Sequence, residues 1–314
     1  MIYSDSAIKI LAAKECGIIK SNVQFWKEFS EFEKFEQEIS KNENFGNTLI
    51  KIKKELEGVT DQEGIICFYD EYFPVINRKI KNNGDKPYLL FYKGNLQLLS
   101  DLNKNVAVIG LTNPDDKIAK REYDVVKRLT TSDLVIVSGL ANGCDSIAHK
   151  ACLAMSGKTI AILPTQISKI YPAENKILAE EIVEKGGLLI SEYYKEAASR
   201  YEAINRFIQR DRLQAMFSKA IIMVASYRKG EGDSGSRHAM EAARKYEIER
   251  YVIYNKDTDS ENKQFALNKD LIAENSKDKV KVLLPSSIEH IKEIKNENLI
   301  STANTGSSEQ LSLL

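Results

Sequence analysis

From residue 105 onward, short apolar runs alternate with longer stretches in which apolar residues recur every three or four positions. Residues 106–109, 134–137, 159–163, 188–190, 220–224, 251–254 and 280–284 read as strands. They are apolar at successive positions, as strands buried on both faces require. Between them, residues 115–129, 145–155, 174–184, 203–217, 236–246 and 263–274 carry the helical period. This alternation predicts an α/β fold: a mostly parallel sheet with helices on both faces. Ligands of such sheets bind beyond the carboxyl ends of the strands, so the turns after Val137, Ile190 and Val224 are the places to search.

Upstream, residues 1–58 read as helical. Phe25, Trp26, Phe29, Phe32 and Phe35 recur at spacings of one, three and four and form a packing face, and a second helix covers 48–56 and ends at Gly58. Residues 64–69 and 87–94 read as strands, the latter stopping at Gly94 with Asn95 as cap for 96–99. Residues 285–295 suit one more helix, and the Ser/Thr/Asn/Gly-rich stretch 301–314 is expected to be disordered. The expected organisation is a small helical N-terminal region (1–60), an α/β domain (61–285), and a C-terminal helix and tail (286–314).

Composition narrows the function classes. Lys plus Arg and Asp plus Glu both number 45, so any nucleic-acid binding comes from a local patch and not from a global field. Cys16, Cys67, Cys144 and Cys152 show no C-x-x-C spacing, which points to a reduced, cytoplasmic protein. The first residues do not follow a signal-peptide pattern, and no apolar run is long enough to span a bilayer. No metal or cofactor is expected.

The stretch 135–149, VIVSGLANGCDSIAH, runs from a strand into a helix through Ser138, Gly139 and Gly143. Glycines there let the backbone approach a ligand, and free N–H groups at the helix start suit an anion; the same glycines also suit a plain tight turn. The order is neither G-x-G-x-x-G nor a P-loop. Asp145 suits a cap, and His149 reads as a half-buried side chain bonded to a carbonyl or to Asp145, with a general-acid role as the alternative. Arg206 and Arg210 share a helix face, with Arg212 beside them; such a pair suits phosphate, or simply an ion-paired face with Glu202 and Asp211. Residues 228–237, RKGEGDSGSR, follow a strand and open a helix, which suits a second anion site or simply a flexible loop. H-E-x-x-H and G-x-S-x-G are absent, so a hydrolytic triad has no support.

Together, several stretches resemble the DNA-processing protein A (DprA/Smf) family. They are PYLLFYKGNLQLL, VAVIG, VIVSGLANGCDSIAHKACLAMSGKTIAIL, IYPAENKILAEEIVEKGGLLISEY, FIQRDRLQAMFS and DSGSRHAMEAARK, in family order across residues 64–254. The resemblance implies an extended Rossmann-like core. It also implies non-catalytic binding of single-stranded DNA with little sequence preference, assistance to the RecA recombinase in recombination and natural transformation, and a homodimer. Carried over by motif, the DNA-binding positions are Ser138, Gly139, Gly143, Arg206, Arg210, Arg212, Ser234, Gly235 and Ser236, with Lys93 of YKGN as an addition. Tyr171, Tyr193, Tyr194 and Tyr227 are candidates for stacking on bases. The sequence departs from the family pattern at Gly110-Leu111-Thr112, where the family has G-S-R, and at Arg210-Asp211-Arg212, where it has R-N-R; a winged-helix domain after the core is not expected. A sensor or hydrolase of a small nucleotide-derived ligand in the same pocket is the alternative.

Overall fold

The computed structural model describes residues 2–57, 63–232, 235–274 and 279–299. In chain order its elements are β1 (Ile2–Tyr3), α1 (Asp5–Glu15), α2 (Asn22–Glu28), α3 (Phe32–Ile39), α4 (Phe45–Leu56), β2 (Glu63–Cys67) and β3 (Leu89–Gly94). Then come β4 (Asn105–Ile109), α5 (Asp116–Thr131), β5 (Val135–Ser138), α6 (Cys144–Ala154), β6 (Thr159–Leu163), α7 (Lys176–Glu184) and β7 (Leu188–Ser191). The chain continues with α8 (Arg200–Met216), β8 (Ala220–Met223), α9 (Ser236–Lys245), β9 (Glu249–Val252), α10 (Lys256–Asp259), α11 (Ala266–Ala273), β10 (Lys281–Val282) and α12 (Pro285–Glu293). The tail beyond residue 300 lies outside the described residues.

The strands form a ten-stranded sheet in the order β1-β2-β3-β7-β6-β5-β4-β8-β9-β10. All neighbours are parallel except β3, which runs antiparallel to both β2 and β7. The chain winds outward from β4 through β5, β6 and β7, then returns to place β8 and β9 on the other side of β4. The direction of winding therefore reverses at β4, and a crevice beyond the carboxyl ends of β4, β5 and β8 is the expected consequence.

Both faces of the sheet are apolar, which is why the strands read as unbroken hydrophobic runs. In β4, Ala107 and Ile109 pack with Leu213, Met216, Phe217 and Met240 of the α8–α9 layer. Val106 and Val108 pack on the opposite face with Ile118, Val126, Ala148 and Ile291. Each such aliphatic side chain contributes about 1.5–3 kcal/mol when fully buried.

The aromatic stripe of the N-terminal region is a packing face, as its spacing predicts, but it belongs to two helices. Between α2 and α3 the chain turns at 29–31, where the hydroxyl of Tyr69 donates to the carbonyl of Phe29. Phe25 and Phe35 are fully buried, and Phe25 stacks on Tyr88 at 4.4 Å between ring centroids. The run at 280–284 gives only the two-residue β10, and α8 begins three residues before the expected start at 203 because Ser199 caps it by accepting from Glu202 N.

Candidate nucleic-acid interface

The β5–α6 turn is folded by its glycines, and much of it is closed on itself. Ser138 ends β5 fully buried, its Oγ donating to Val108 O at 2.7 Å, so its hydroxyl ties two strands together. Gly143 has φ +74°, and a Cβ on it would stand 2.3 Å from Leu111 O. That close approach lets Cys144 N donate to Leu111 O at 2.8 Å. The first N–H of α6 is therefore satisfied by the β4–α5 connection, where the sequence predicted a free donor facing a ligand. Asp145 does not cap α6 through its own side chain; its Oδ2 accepts from Ala141 N at 3.3 Å.

Gly139 makes room for an arginine. A Cβ at this position would lie 0.9 Å from Nη1 of Arg210 and 2.7 Å from Oδ2 of Asp145. Arg210 reaches this cradle from α8, only 5% exposed, with Nη1 at 3.3 Å from Asp145 Oδ2 and Nε at 3.3 Å from Asp211 Oδ1. The Nε geometry to Asp211 is not that of a hydrogen bond, so this buried donor has no hydrogen-bond partner. Two carboxylates thus flank one guanidinium beside the carboxyl end of β5. Burial raises the pKa of Asp211 to about 7, against the pull of Arg210 and with a push from Asp145.

The first turn of α9 closes the same site. Gly235 caps the helix with φ +87°, and the place of its absent Cβ is 3.3 Å from Asp211 Oδ2. Ser236 Oγ donates to Gly110 O at 3.0 Å, which joins α9 to the end of β4. Ser234 lies outside the described residues. Gly139, Arg210, Gly235 and Ser236 are therefore brought together at the strand carboxyl ends, with Ser138 and Gly143 as their frame.

The remaining candidates have other surroundings. Arg212 faces away from this cradle: both its Nη atoms bond Glu192 at 2.7 Å, and its Nε donates to Asp85 O at 2.9 Å. Arg206 bonds Glu202 and the carbonyls of Lys195 and Glu196, and lies over the Tyr193 ring at 4.3 Å. Lys93 pairs in register with Leu189, inside β7 and away from its carboxyl end, and its Nζ donates to Glu63 at 3.3 Å. The antiparallel sense of β3 carries it towards the amino edge of the sheet, apart from the cradle.

His149 is fully buried and bonds Thr159 Oγ1 through Nδ1 at 2.7 Å, where the sequence suggested a half-buried side chain bonded to a carbonyl or to Asp145. Burial lowers its pKa to about 4, so it is neutral at physiological pH. Of the tyrosines, Tyr194 stacks on Phe91, Tyr193 lies beneath Arg206, and Tyr227 is half-buried. Tyr171 is 56% exposed and meets Phe207 edge-on at 5.6 Å. Tyr201, Ile204 and Ile208 form an exposed apolar stripe along α8.

Two carboxylates were not foreseen as parts of this region. Glu192, the partner of Arg212, follows β7 directly. Glu122 is completely buried beside Cys144, and burial pushes its pKa well above the usual range. Its signal was in the sequence: it occupies the Ile118, Val126, Leu129 face of α5, an acid on an apolar stripe.

The profile of the DNA recombination-mediator protein A family matches residues 64–284. DNA processing protein DprA of Streptococcus pneumoniae is 45% identical over 109 residues, 35% of this chain and 37% of its own length. DprA of Bacillus subtilis is 32% identical over 157 residues, 50% of each chain. Protein Smf of Synechocystis is 36% identical over 140 residues, 44% of this chain and 34% of that one. The matched stretches thus span about a third to a half of these relatives' length. The crystal structure of the pneumococcal protein superposes with a TM-score of 0.70 at 26% identity, covering 92% of this chain and 98% of that one. DNA processing protein A from Helicobacter pylori, described for its single-stranded DNA binding mode, has a TM-score of 0.53 at 26% identity over 65% of this chain and 86% of its own. With its glycine-cradled arginine at the carboxyl ends of a Rossmann-like sheet, the chain belongs to the DNA recombination-mediator protein A family.

Proposed function

We propose that this protein binds single-stranded DNA at the carboxyl edge of its sheet and serves recombination as a non-catalytic DNA-processing factor. The observation that carries the reading is the Gly139 cradle, which holds the buried guanidinium of Arg210 with a donor still lacking a hydrogen bond. A preset guanidinium matches a backbone phosphate, and phosphate contacts dominate affinity for single strands. Gly139, Gly235 and Ser236 let the strand approach, and Ser138, Gly143, Arg206 and Arg212 hold the surrounding loops. The exposed rings of Tyr171 and Tyr201 are candidates for stacking on unpaired bases. RecA is the expected partner, and a homodimer the expected assembly.

The test is binding of a fluorescent poly-dT oligonucleotide at two salt concentrations, beside the matching duplex. Salt-dependent, strand-selective binding that R210Q weakens at least tenfold supports the reading. No binding at low salt, or binding indifferent to R210Q, refutes it. The two carboxylates around a single arginine favour a second reading, in which a nucleotide-derived small molecule offers hydrogen-bond donors to Asp145 and Asp211. Thermal stabilisation by one member of a nucleotide panel, without binding of poly-dT, would select it.

A further inference from the structure

The anion position beside Arg210 is already filled by the protein itself. Asp211 is 8% exposed, and its Oδ1 lies 3.3 Å from Arg210 Nε. Gln214 Nε2 donates to the same oxygen at 3.2 Å and steadies it. The other oxygen, Oδ2, lies by the first turn of α9, 3.3 Å from the place a Gly235 Cβ would take. The carboxylate therefore sits between a guanidinium and a helix start, the surroundings that attract a phosphate. With no Cβ at Gly235, Oδ2 has room against the first turn of α9.

We propose that Asp211 is a built-in competitor for DNA phosphate: its ionised carboxylate holds the place between Arg210 and α9, and its protonation surrenders that place to the strand. This rests on the single-stranded DNA reading of the same site. The charged groups that face Asp211 are Arg210 from its own helix, Asp145 from α6 and Arg237 from α9. Burial and Asp145 favour its neutral form, Arg210 and Arg237 its ionised form, and the balance leaves a pKa of about 7. A group of that pKa is about nine-tenths protonated at pH 6 and about one-tenth protonated at pH 8, so affinity limited by the protonated form falls about tenfold across this interval. His149 titrates near 4, outside the interval. The phosphodiester stays singly charged throughout, so the change belongs to the protein.

The experiment measures poly-dT affinity by fluorescence anisotropy at pH 6, 7 and 8 and constant ionic strength, for wild type, D211N and D211S. Sulfate, whose charge is constant over this range, is titrated in parallel by thermal shift. The expected result is a wild-type Kd that rises about tenfold from pH 6 to pH 8. D211N should bind at pH 8 as tightly as wild type binds at pH 6, with a flat profile, and sulfate should stabilise it more than wild type at pH 8. A flat wild-type profile, or equal affinities and equal profiles for wild type and D211N, overturns the proposal while leaving the DNA-binding reading intact. If no variant binds poly-dT, that reading fails, and the sulfate series alone decides Asp211: equal stabilisation of wild type and D211N at pH 8 overturns it. D211S repeats each comparison should D211N not fold, and the wild-type profile needs no variant.

Discussion

Arg212 offers the sharpest separation of structural from functional roles. It is 6% exposed, and its fork meets both oxygens of Glu192 at 2.7 Å while Nε holds the Asp85 carbonyl at 2.9 Å. It therefore joins α8 to the end of β7 and to the chain leading into β3. R212A would leave the carboxylate of Glu192, itself only 12% exposed, without its counter-charge. Breaking one side of a buried pair destabilises by about 3–5 kcal/mol, because the remaining charge stays desolvated. At roughly 2–4 °C per kcal/mol, the melting temperature should fall by about 6–20 °C. R212K should fall in between, since an ammonium keeps the charge but loses the two-pronged geometry. The paired change R212M/E192M should recover much of the loss, because neither charge is then stranded. Differential scanning fluorimetry and urea unfolding measure the fall, and poly-dT binding well below the lowered midpoint should match wild type. A melting temperature within 2 °C of wild type, or folded R212A with lost DNA affinity, would refute the reasoning.

G139A should drive the Arg210 guanidinium out of its cradle, since the new methyl would lie 0.9 Å from Nη1; a tenfold or greater loss of poly-dT affinity with about 1–3 kcal/mol of overpacking strain is expected from anisotropy and urea titration. Burial lowers the pKa of His149 to about 4 from 6.5, so the folded chain binds fewer protons than the unfolded one between those values. Its contribution to stability is complete above pH 6.5 and is lost as pH falls through that window, by an amount on the order of 2–3 kcal/mol at pH 4; urea midpoints at pH 4.5 and 7.5 should therefore differ less in H149Q than in wild type. Asn268 is fully buried, with Nδ2 donating to Val224 O at 3.0 Å and Ile253 O at 2.9 Å and Oδ1 accepting from Ser226 N at 3.1 Å. N268A should lose about 2–4 kcal/mol through the groups it leaves unpaired, seen as a lower urea midpoint at unchanged m-value.

The parallel part of the fold was legible because its strands are buried twice over, and Val135–Ser138 differs by one residue from the run that announced it. Antiparallel β3 carries the same apolar pattern as its neighbours, so its direction is not written in it; its pairing of Phe91 with Ser191 is a long-range choice. Two-residue β1 and β10 are too short for any period to show. In the site, glycine spacing offered Gly139 and Gly143 as places where the backbone approaches a ligand, or as a plain tight turn; among the described residues the group that comes close is the protein's own. For Gly143 it is the Leu111 carbonyl, and for Gly139 an arginine from α8. Arg206, Arg210 and Arg212 look alike as a basic run, yet Arg212 turns off the face that Arg206 and Arg210 share, and Arg206 stands one turn nearer the helix start, paired with Glu202. Arg206 and Arg212 reach carboxylates that satisfy them, and Arg210 alone of the three reaches the cradle.

The pairing of Ile2–Tyr3 with Gly64–Ile65 gives the N-terminal helices two moorings on the same sheet edge. The chain leaves the sheet at β1, winds through four helices and re-enters it one strand over. A module moored in this way cannot swing as a pendant domain on a single leash. The helices also share one core with that edge, where Ile8, Leu11 and Phe25 pack with Ile65, Tyr88 and Leu89. A single nick in the connections between these helices should leave both fragments clasped in one particle, and removal of Ile2 and Tyr3 should still leave α1 seated on the sheet through Ile8, Leu11 and their neighbours in the shared core.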